Sequence, residues 1–255
     1  MRIITLNANG IRAAARTGFF DWLPRQQADV VCIQETKAQE AQLTADHFYP
    51  EGYHCFYHDA EKKGYSGVAL YSRQEPDKVH VGIGWEAFDS EGRWLQADLG
   101  NLSVISLYLP SGSSKDERQQ FKYECMDFLK PRLEAMARDG RDYIICGDWN
   151  IAHKKIDIKN WRGNLKNSGF LPEEREWLDE LFGPVGMHDA FRRIDDRPEQ
   201  YTWWSNRGQA WANNTGWRID YQVVSSGLVD KVRSAEIYKD ERFSDHAPLI
   251  IDYAD

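Results

Sequence analysis

Short apolar runs recur along the chain, each bounded by polar or turn-forming residues. The runs Met1–Leu6, Val30–Gln34, Gly67–Tyr71, Leu102–Tyr108, Tyr143–Cys146, Ile219–Val224 and Pro248–Asp252 are of strand length and rich in Ile, Val, Leu and Tyr. Each predicts a β-strand. Between them the period changes. Over Asp116–Arg138 the residues Phe121, Cys125, Phe128, Leu129, Leu133 and Met136 fall near helical spacing. Ser114 is the expected cap, with Glu117 three residues on, and Pro131 is expected to kink the helix or split it. Pro172–Leu181 predicts a second helix, with proline in the first turn and acidic residues after it. Strands alternating with helices, then strands in succession, indicate a mixed α/β architecture. No Pro- or Ser-rich linker, low-complexity stretch or repeat divides the 255 residues, so one domain over 1–255 is expected.

The ends of these runs carry polar residues. Asn7 and Asn9 follow the first run and Glu35 the second; Tyr108 closes another. Asp148 and Asn150 follow Tyr143–Gly147, and Asp245 and His246 precede the last run. One such residue is as readily a turn or a cap. Acids, amides and an imidazole at successive strand ends point instead to a site at one edge of a sheet. In Gly147-Asp148-Trp149-Asn150, a carboxylate base stands beside an amide able to orient water, as in-line attack on a phosphodiester requires. Glu35 supplies a hard oxygen suited to magnesium. Asp220, in Trp217-Arg218-Ile219-Asp220-Tyr221, is an acid that could hold His246 as a cation for phosphate oxygens.

Composition narrows the field. A net charge of -8 argues against a basic nucleic-acid coat protein, but metal-holding carboxylates count in that total. Basic residues still cluster locally, at Lys62-Lys63, Lys115 to Lys122, Lys154-Lys155 and Lys159 to Lys166, as a phosphate track would need. The ten Trp fill core positions for the most part, leaving a few to face a nucleic acid. Cys32, Cys55, Cys125 and Cys146 form no CxxC pair and read as reduced thiols. No apolar run is long enough to span a membrane and no apolar leader precedes the first strand, so a soluble, cytoplasmic protein is expected. The phosphate-cradling Gly-rich loop, zinc ligand spacing and Gly-x-Ser-x-Gly elbow are all missing.

Taken together, Leu6–Arg12, Gln34–Lys37, Gly64–Val68, Tyr108–Pro110, Gly147–His153, Asn164–Phe170, Trp217–Tyr221 and Ser244–His246 run in order over nearly the whole chain. This set resembles the exonuclease III-type abasic-site endonucleases, within the deoxyribonuclease I-like endonuclease/exonuclease/phosphatase superfamily. The resemblance implies a four-layer α/β sandwich, two packed mixed β-sheets flanked by helices. It implies a Mg2+ ion, replaceable by Mn2+, on Glu35 with Asn9 and Asp245. Asp148 would position or deprotonate the attacking water, Asn150 and Asn7 would orient water and phosphate, Tyr108 would contact the phosphate or assist the leaving group, and His246, backed by Asp220, would stabilise charge on the phosphate. Trp203, Trp217 and Ile219 would line a pocket for a flipped sugar without a base, with Gly169 at its rim. Arg12, Lys37, Gly64, Tyr65, Asn164 and Asn167 would bind substrate.

The implied reaction is base-excision-repair cleavage 5′ to an abasic site, leaving a 3′-hydroxyl. The partner would be double-stranded DNA with abasic sites or blocked 3′ ends, met by a monomer. The alternative is a 3′–5′ exonuclease or 3′-end-cleaning phosphodiesterase with little abasic-site activity. Asn9 and Ser111 depart from the pattern: some relatives carry Asp and a longer amide there. Because the chain enters the catalytic segment at once, functions that some relatives carry on an N-terminal extension are not expected.

Overall fold

The computed structural model describes residues 1–255. Two six-stranded mixed sheets form its centre. The first consists, in chain order, of β1 (Arg2–Asn7), β2 (Val30–Gln34), β3 (His54–His58), β4 (Val68–Ser72), β13 (Val232–Ile237) and β14 (Leu249–Tyr253), arranged in space as β13-β14-β1-β2-β4-β3. The second consists of β5 (Lys78–Val81), β6 (Trp94–Leu99), β7 (Leu102–Tyr108), β8 (Asp142–Asp148), β9 (His188–Asp189) and β12 (Asp220–Val224), arranged as β5-β6-β7-β8-β12-β9. Each sheet has one parallel pair, β1 with β2 and β7 with β8, among antiparallel neighbours. A short ribbon of β10 (Trp203–Trp204) and β11 (Gly216–Trp217) stands apart from both.

Alternation along the strands explains the layering. Successive side chains point to opposite faces. Ile3, Cys32, Val104 and Ile144 meet between the two sheets. Their neighbours Ile4 and Ile33 pack outward against α1 (Ile11–Arg16) and α2 (Phe19–Gln26), with Phe19 and Trp22. Ile105 and Ile145 face outward on the other side. There they meet Leu129 and Leu133 of α4 (Asp116–Met136) and Leu178 of α5 (Pro172–Leu181). Three apolar interfaces make four layers, the expected sandwich. Two short helices, α3 (Glu86–Asp89) and α6 (Ala190–Ile194), complete the set.

All seven expected strands are present, with ends shifted by a residue or two. Two details of the long helix differ from expectation. It starts at Asp116 with Lys115 as its N-cap and no side-chain cap, so Ser114 and Glu117 form no capping box. It also runs unbroken to Met136 through Pro131. Pro131 and Asp127 lie on the solvent face, so the carbonyl that the proline leaves without a donor is not sealed in the core. The second helix is capped through Glu174, whose carboxylate accepts from the Leu171 N–H at 3.0 Å.

Between the sheets, polar cross-ties lie below the strand ends. Gln34 of the first sheet donates to the Ser106 hydroxyl of the second at 3.0 Å. Gln222 of the second donates to the Ile3 and Leu249 carbonyls of the first, at 3.0 and 3.2 Å. All four cysteines are free thiols. No helix is long and apolar enough to cross a membrane.

Candidate active site

Topology brings the polar strand ends together. β1 and β2 run parallel, so Asn7 and the Gln34–Glu35 junction leave the first sheet at one edge. β7 and β8 do the same for Tyr108 and Asp148 in the second. β12 enters that edge antiparallel, with Asp220 in register opposite Asp148. The segment before β14 delivers Asp245 and His246. Gly147 is required in this arrangement: a Cβ there would lie 1.8 Å from the Leu107 carbonyl oxygen of the neighbouring strand.

The side chains form one hydrogen-bonded unit. The Asn7 amide donates to Glu35 at 2.8 Å and to Asp148 Oδ2 at 2.9 Å, linking the two sheets. Asp148 Oδ1 accepts the Asn150 N–H at 2.9 Å, and the Asn150 amide donates to the Leu109 carbonyl at 2.6 Å. His246 Nδ1 meets Asp220 Oδ2 at 2.8 Å, leaving Nε2 facing Asp148 Oδ2 at 3.7 Å and Asp245 Oδ1 at 4.0 Å. Trp203 Nε1 donates to Asp245 at 3.1 Å. The other Asp220 oxygen is buried without a partner.

Charge crowding sets the electrostatics. Burial pushes the Asp148 carboxyl up; Asp220 adds to this, His246 opposes it, and Glu35 adds again, leaving it raised to about 8. Burial alone would lower His246, but the charge and hydrogen bond of Asp220, then Asp148 and Asp245, raise it to about 10. The imidazole is therefore a cation at neutral pH. Burial, reinforced by Glu35, holds the Tyr108 phenol well above its usual range and keeps it a donor.

Ligand atoms of Glu35, Asp148 and His246 lie within 4.8 Å of one another. With Nδ1 engaged by Asp220 and the ring protonated, the imidazole is a poor ligand. The carboxylate oxygens of Glu35 and Asp148, with Asp245 adjacent, form the hard donor set that a divalent cation of the magnesium type takes. The Asn9 amide oxygen accepts from Lys37 Nζ at 2.5 Å, and Lys37 also pairs with Glu35 at 3.2 Å, so Lys37 bridges two of the expected metal ligands.

Several of these residues hold left-handed backbone: Asn9, Glu35, Lys37 and Asn150 have φ between 44° and 52°. Such conformations are costly for residues with side chains and persist where the surroundings over-determine them.

The unit floors a cleft of about 770 Å³. Gly169, Trp203, Trp217 and Ile219 line it, as does Asn167. The Trp203 and Trp217 rings meet edge to face at 5.9 Å. The other expected substrate residues lie outside this cleft. Arg12 is exposed and donates to the Lys37 carbonyl at 3.2 Å. Gly64 is exposed, and Tyr65 lines a neighbouring cleft of about 450 Å³, bonded to Glu91, Arg93 and Arg118. Asn164 accepts from the Asn167 amide beyond the rim.

Other contributors went unread in the sequence. Thr202 Oγ1 accepts the N–H groups of Ile219 and Asp220, and Ser244 Oγ donates to the Asn7 carbonyl. Arg207 and Gln119 line the cleft. Lys122 supports Asn150 from beneath. Lys122, expected within the Lys115 to Lys122 basic cluster to serve a phosphate track, is instead fully buried, at helical spacing from Cys125 and Leu129 on an otherwise apolar stripe.

Residues 4–246 match the model of the Endonuclease/Exonuclease/phosphatase family. The chain is 39% identical to the exodeoxyribonuclease of Bacillus subtilis, over 98% of each. It is 38% identical to the DNA repair nuclease APEX1 of Danio rerio, over 98% of this chain and 81% of that one. The fold superposes on an AP endonuclease from Archaeoglobus fulgidus with a TM-score of 0.90 and 27% identity, covering 99% of each chain.

Proposed function

The chain belongs to the endonuclease/exonuclease/phosphatase family, in its exonuclease III-type abasic-endonuclease branch, and from that premise we propose that it cuts the DNA backbone 5′ to abasic sites with the aid of Mg2+. It is a hydrolytic DNA phosphodiesterase, and DNA repair is its setting. Residues 1–255 work as one catalytic domain, as a monomer in the cytoplasm, on double-stranded DNA with abasic sites or blocked 3′ ends.

The observation that carries the proposal is the floor of the cleft. Asp148 lies between the Asn7 side-chain amide and the Asn150 backbone N–H and faces a protonated His246, beside a pocket walled by Trp203, Trp217 and Ile219. A sugar that has lost its base has little stacking to give up, so turning it out of the duplex costs less than for a normal nucleotide. The aromatic walls and the side-chain-free Gly169 rim suit a compact sugar that has lost its base.

Asp148 then accepts a proton from the attacking water, which Asn150 orients in line with the leaving oxygen. Tyr108 donates to the phosphate, and Asn7, whose two amide hydrogens go to Glu35 and Asp148, holds those carboxylates in place to orient water and phosphate. His246, held charged by Asp220, offsets the negative charge that grows in the transition state. Glu35 and Asp245 would hold the metal, and Asn9 would join them if Lys37 released its amide oxygen. When bound, the ion neutralises charge and polarises a phosphoryl oxygen. Arg12, Lys37 and Lys62 contact the flanking backbone.

The test is an end-labelled duplex with one abasic analogue, incubated with Mg2+, with Mn2+ and with a chelator. Cleavage 5′ to the lesion, leaving an extendable 3′-hydroxyl and abolished by the chelator, is expected. The alternative, a 3′-end-processing exonuclease, draws on the name of the Bacillus subtilis relative. It predicts trimming of a blocked 3′ end with no cut at the lesion. Gly169→His separates the two. A Cβ at this φ of +93° would stand 2.9 Å from the Trp217 ring, so pocket-dependent abasic cutting falls more than end trimming. Equal loss of both would count against the pocket.

A further inference from the structure

One fully buried charge has no place in the chemistry described so far. Lys122 lies on the inner stripe of α4 with Cys125, Met126 and Leu129. It forms an ion pair with Glu174, the equally buried third residue of α5. Burying two charges is expensive unless their remaining bonding capacity is met. Here backbone groups of the active site meet it. Lys122 Nζ donates to the Asn150 carbonyl at 2.7 Å. Glu174 Oε1 accepts from the Gly169 N–H at 2.7 Å as well as from its cap partner Leu171. Neither helix needs the Asn150 or the Gly169 bond for its own integrity.

Both bonds fall on strained or tightly packed backbone. Asn150 sits at φ 52°. Three contacts hold it there: its N–H to Asp148, its amide to the Leu109 carbonyl, and its carbonyl to Lys122. Gly169 backs onto that same carbonyl, since a Cβ there would lie 3.2 Å from the Asn150 oxygen. Gly169 in turn accepts from the Ala152 N–H at 2.8 Å. Gln119, one turn before Lys122, accepts from Ser168 beside the rim at 2.5 Å.

We propose that Lys122 and Glu174 are positioning residues: the pair ties the Asn150 loop to the Gly169 rim and so aligns the water side of the site with the bound sugar. The identity of that sugar rests on the abasic-site proposal above. The pair touches no substrate, so its loss should lower kcat and spare KM.

Lys122→Met alone would strand the Glu174 charge, so the informative variant is K122M/E174Q. It removes both charges at similar volume and leaves an acceptor for Gly169 and Leu171. It is expected to fold and to lose kcat by between about tenfold and a hundredfold, as a misplacement near 1 Å does, with KM nearly unchanged. Lys122→Arg, which keeps the cation, should retain most of the rate. A folded double variant with wild-type kcat overturns the proposal. So does a loss of kcat that only tracks the folded fraction. Should the double variant fail to fold, Glu174→Asp carries the test, since it keeps the pair but shortens its span. An unchanged kcat there is equally fatal. The ratios are taken on an abasic duplex and on a 3′-blocked duplex. A wild type active only on the second sinks the abasic proposal and leaves the effect of the pair measurable; one active on neither sinks both.

Discussion

Asp148 and Asp157 are both 1% exposed, yet they sit at opposite ends of the carboxylate range. Burial pushes each of them up. At Asp157 the Arg218 guanidinium, at 2.8 Å, and Arg192, at 2.6 Å, overcome burial and hold the group at about 2. At Asp148 the main neighbours are further acids, Asp220 and Glu35, opposed by His246, and the group rises to about 8. Burial is shared, so neighbours decide. A buried acid with its cations in place holds two segments together. A buried acid among acids keeps capacity for charges that arrive from outside, and this marks a reacting group.

Substituting the two in parallel is the strongest way to break that contrast. Asp148→Asn should reduce cleavage about a thousandfold or more, as loss of a general base does. Its melting temperature should stay near wild type, because relief from Asp220 and Glu35 offsets a lost hydrogen bond. Asp157→Asn should do the reverse. It leaves the buried Arg218 with Asp189 as its one remaining carboxylate and costs about 1–3 kcal/mol in chemical denaturation, while the rate per folded molecule stays close to wild type. An Asp148 variant that unfolds, or an Asp157 variant that is stable but inactive, would invert the assignment.

A pH–rate profile sharpens the contrast at a smaller scale. If Asp148 is the base proposed above it must lose its proton, so at limiting Mg2+ the rate climbs as pH rises toward about 8. His246 must keep its proton, so the rate declines as pH passes about 10. A divalent ion beside Asp148 favours the carboxylate, so more Mg2+ should move the acid limb down by about a unit and leave the alkaline limb in place. An acid limb indifferent to Mg2+ would show that like-charge crowding does not govern Asp148.

Much of this was legible from residues alone, for reasons that differ by element. The strands read correctly, such as Val30–Gln34 and Leu102–Tyr108, are buried along almost their whole length and spell continuous apolar runs. The missed ones are largely exposed or edge strands. Lys78–Val81 and Val232–Ile237 alternate or mix polar residues because one side faces water, and His54–His58 closes an edge. Helix α2 hid behind Pro24, which sits within it. In the site, Asp148, Asn150 and His246 announced themselves by chemistry and position. The Leu109 carbonyl and the Thr202 hydroxyl did not, since a backbone acceptor has no sequence signature and threonine is common everywhere. Nothing in a linear string shows that Lys37 Nζ donates to the Asn9 amide oxygen, so the link between Asn9, Lys37 and Glu35 went unread.

The cross-ties of Gln34 and Gln222 have a consequence for how accurately the enzyme is assembled. Asn7 and Glu35 ride on one sheet, Asp148 on the other, so the working distances are set by the offset between two slabs. Apolar contact is indifferent to direction and tolerates sliding. Directional bonds from one slab to the other act as dowels that admit a single alignment. A chain deprived of them, with its oily filling intact, would still be folded by every bulk measure while its two half-sites stood out of true.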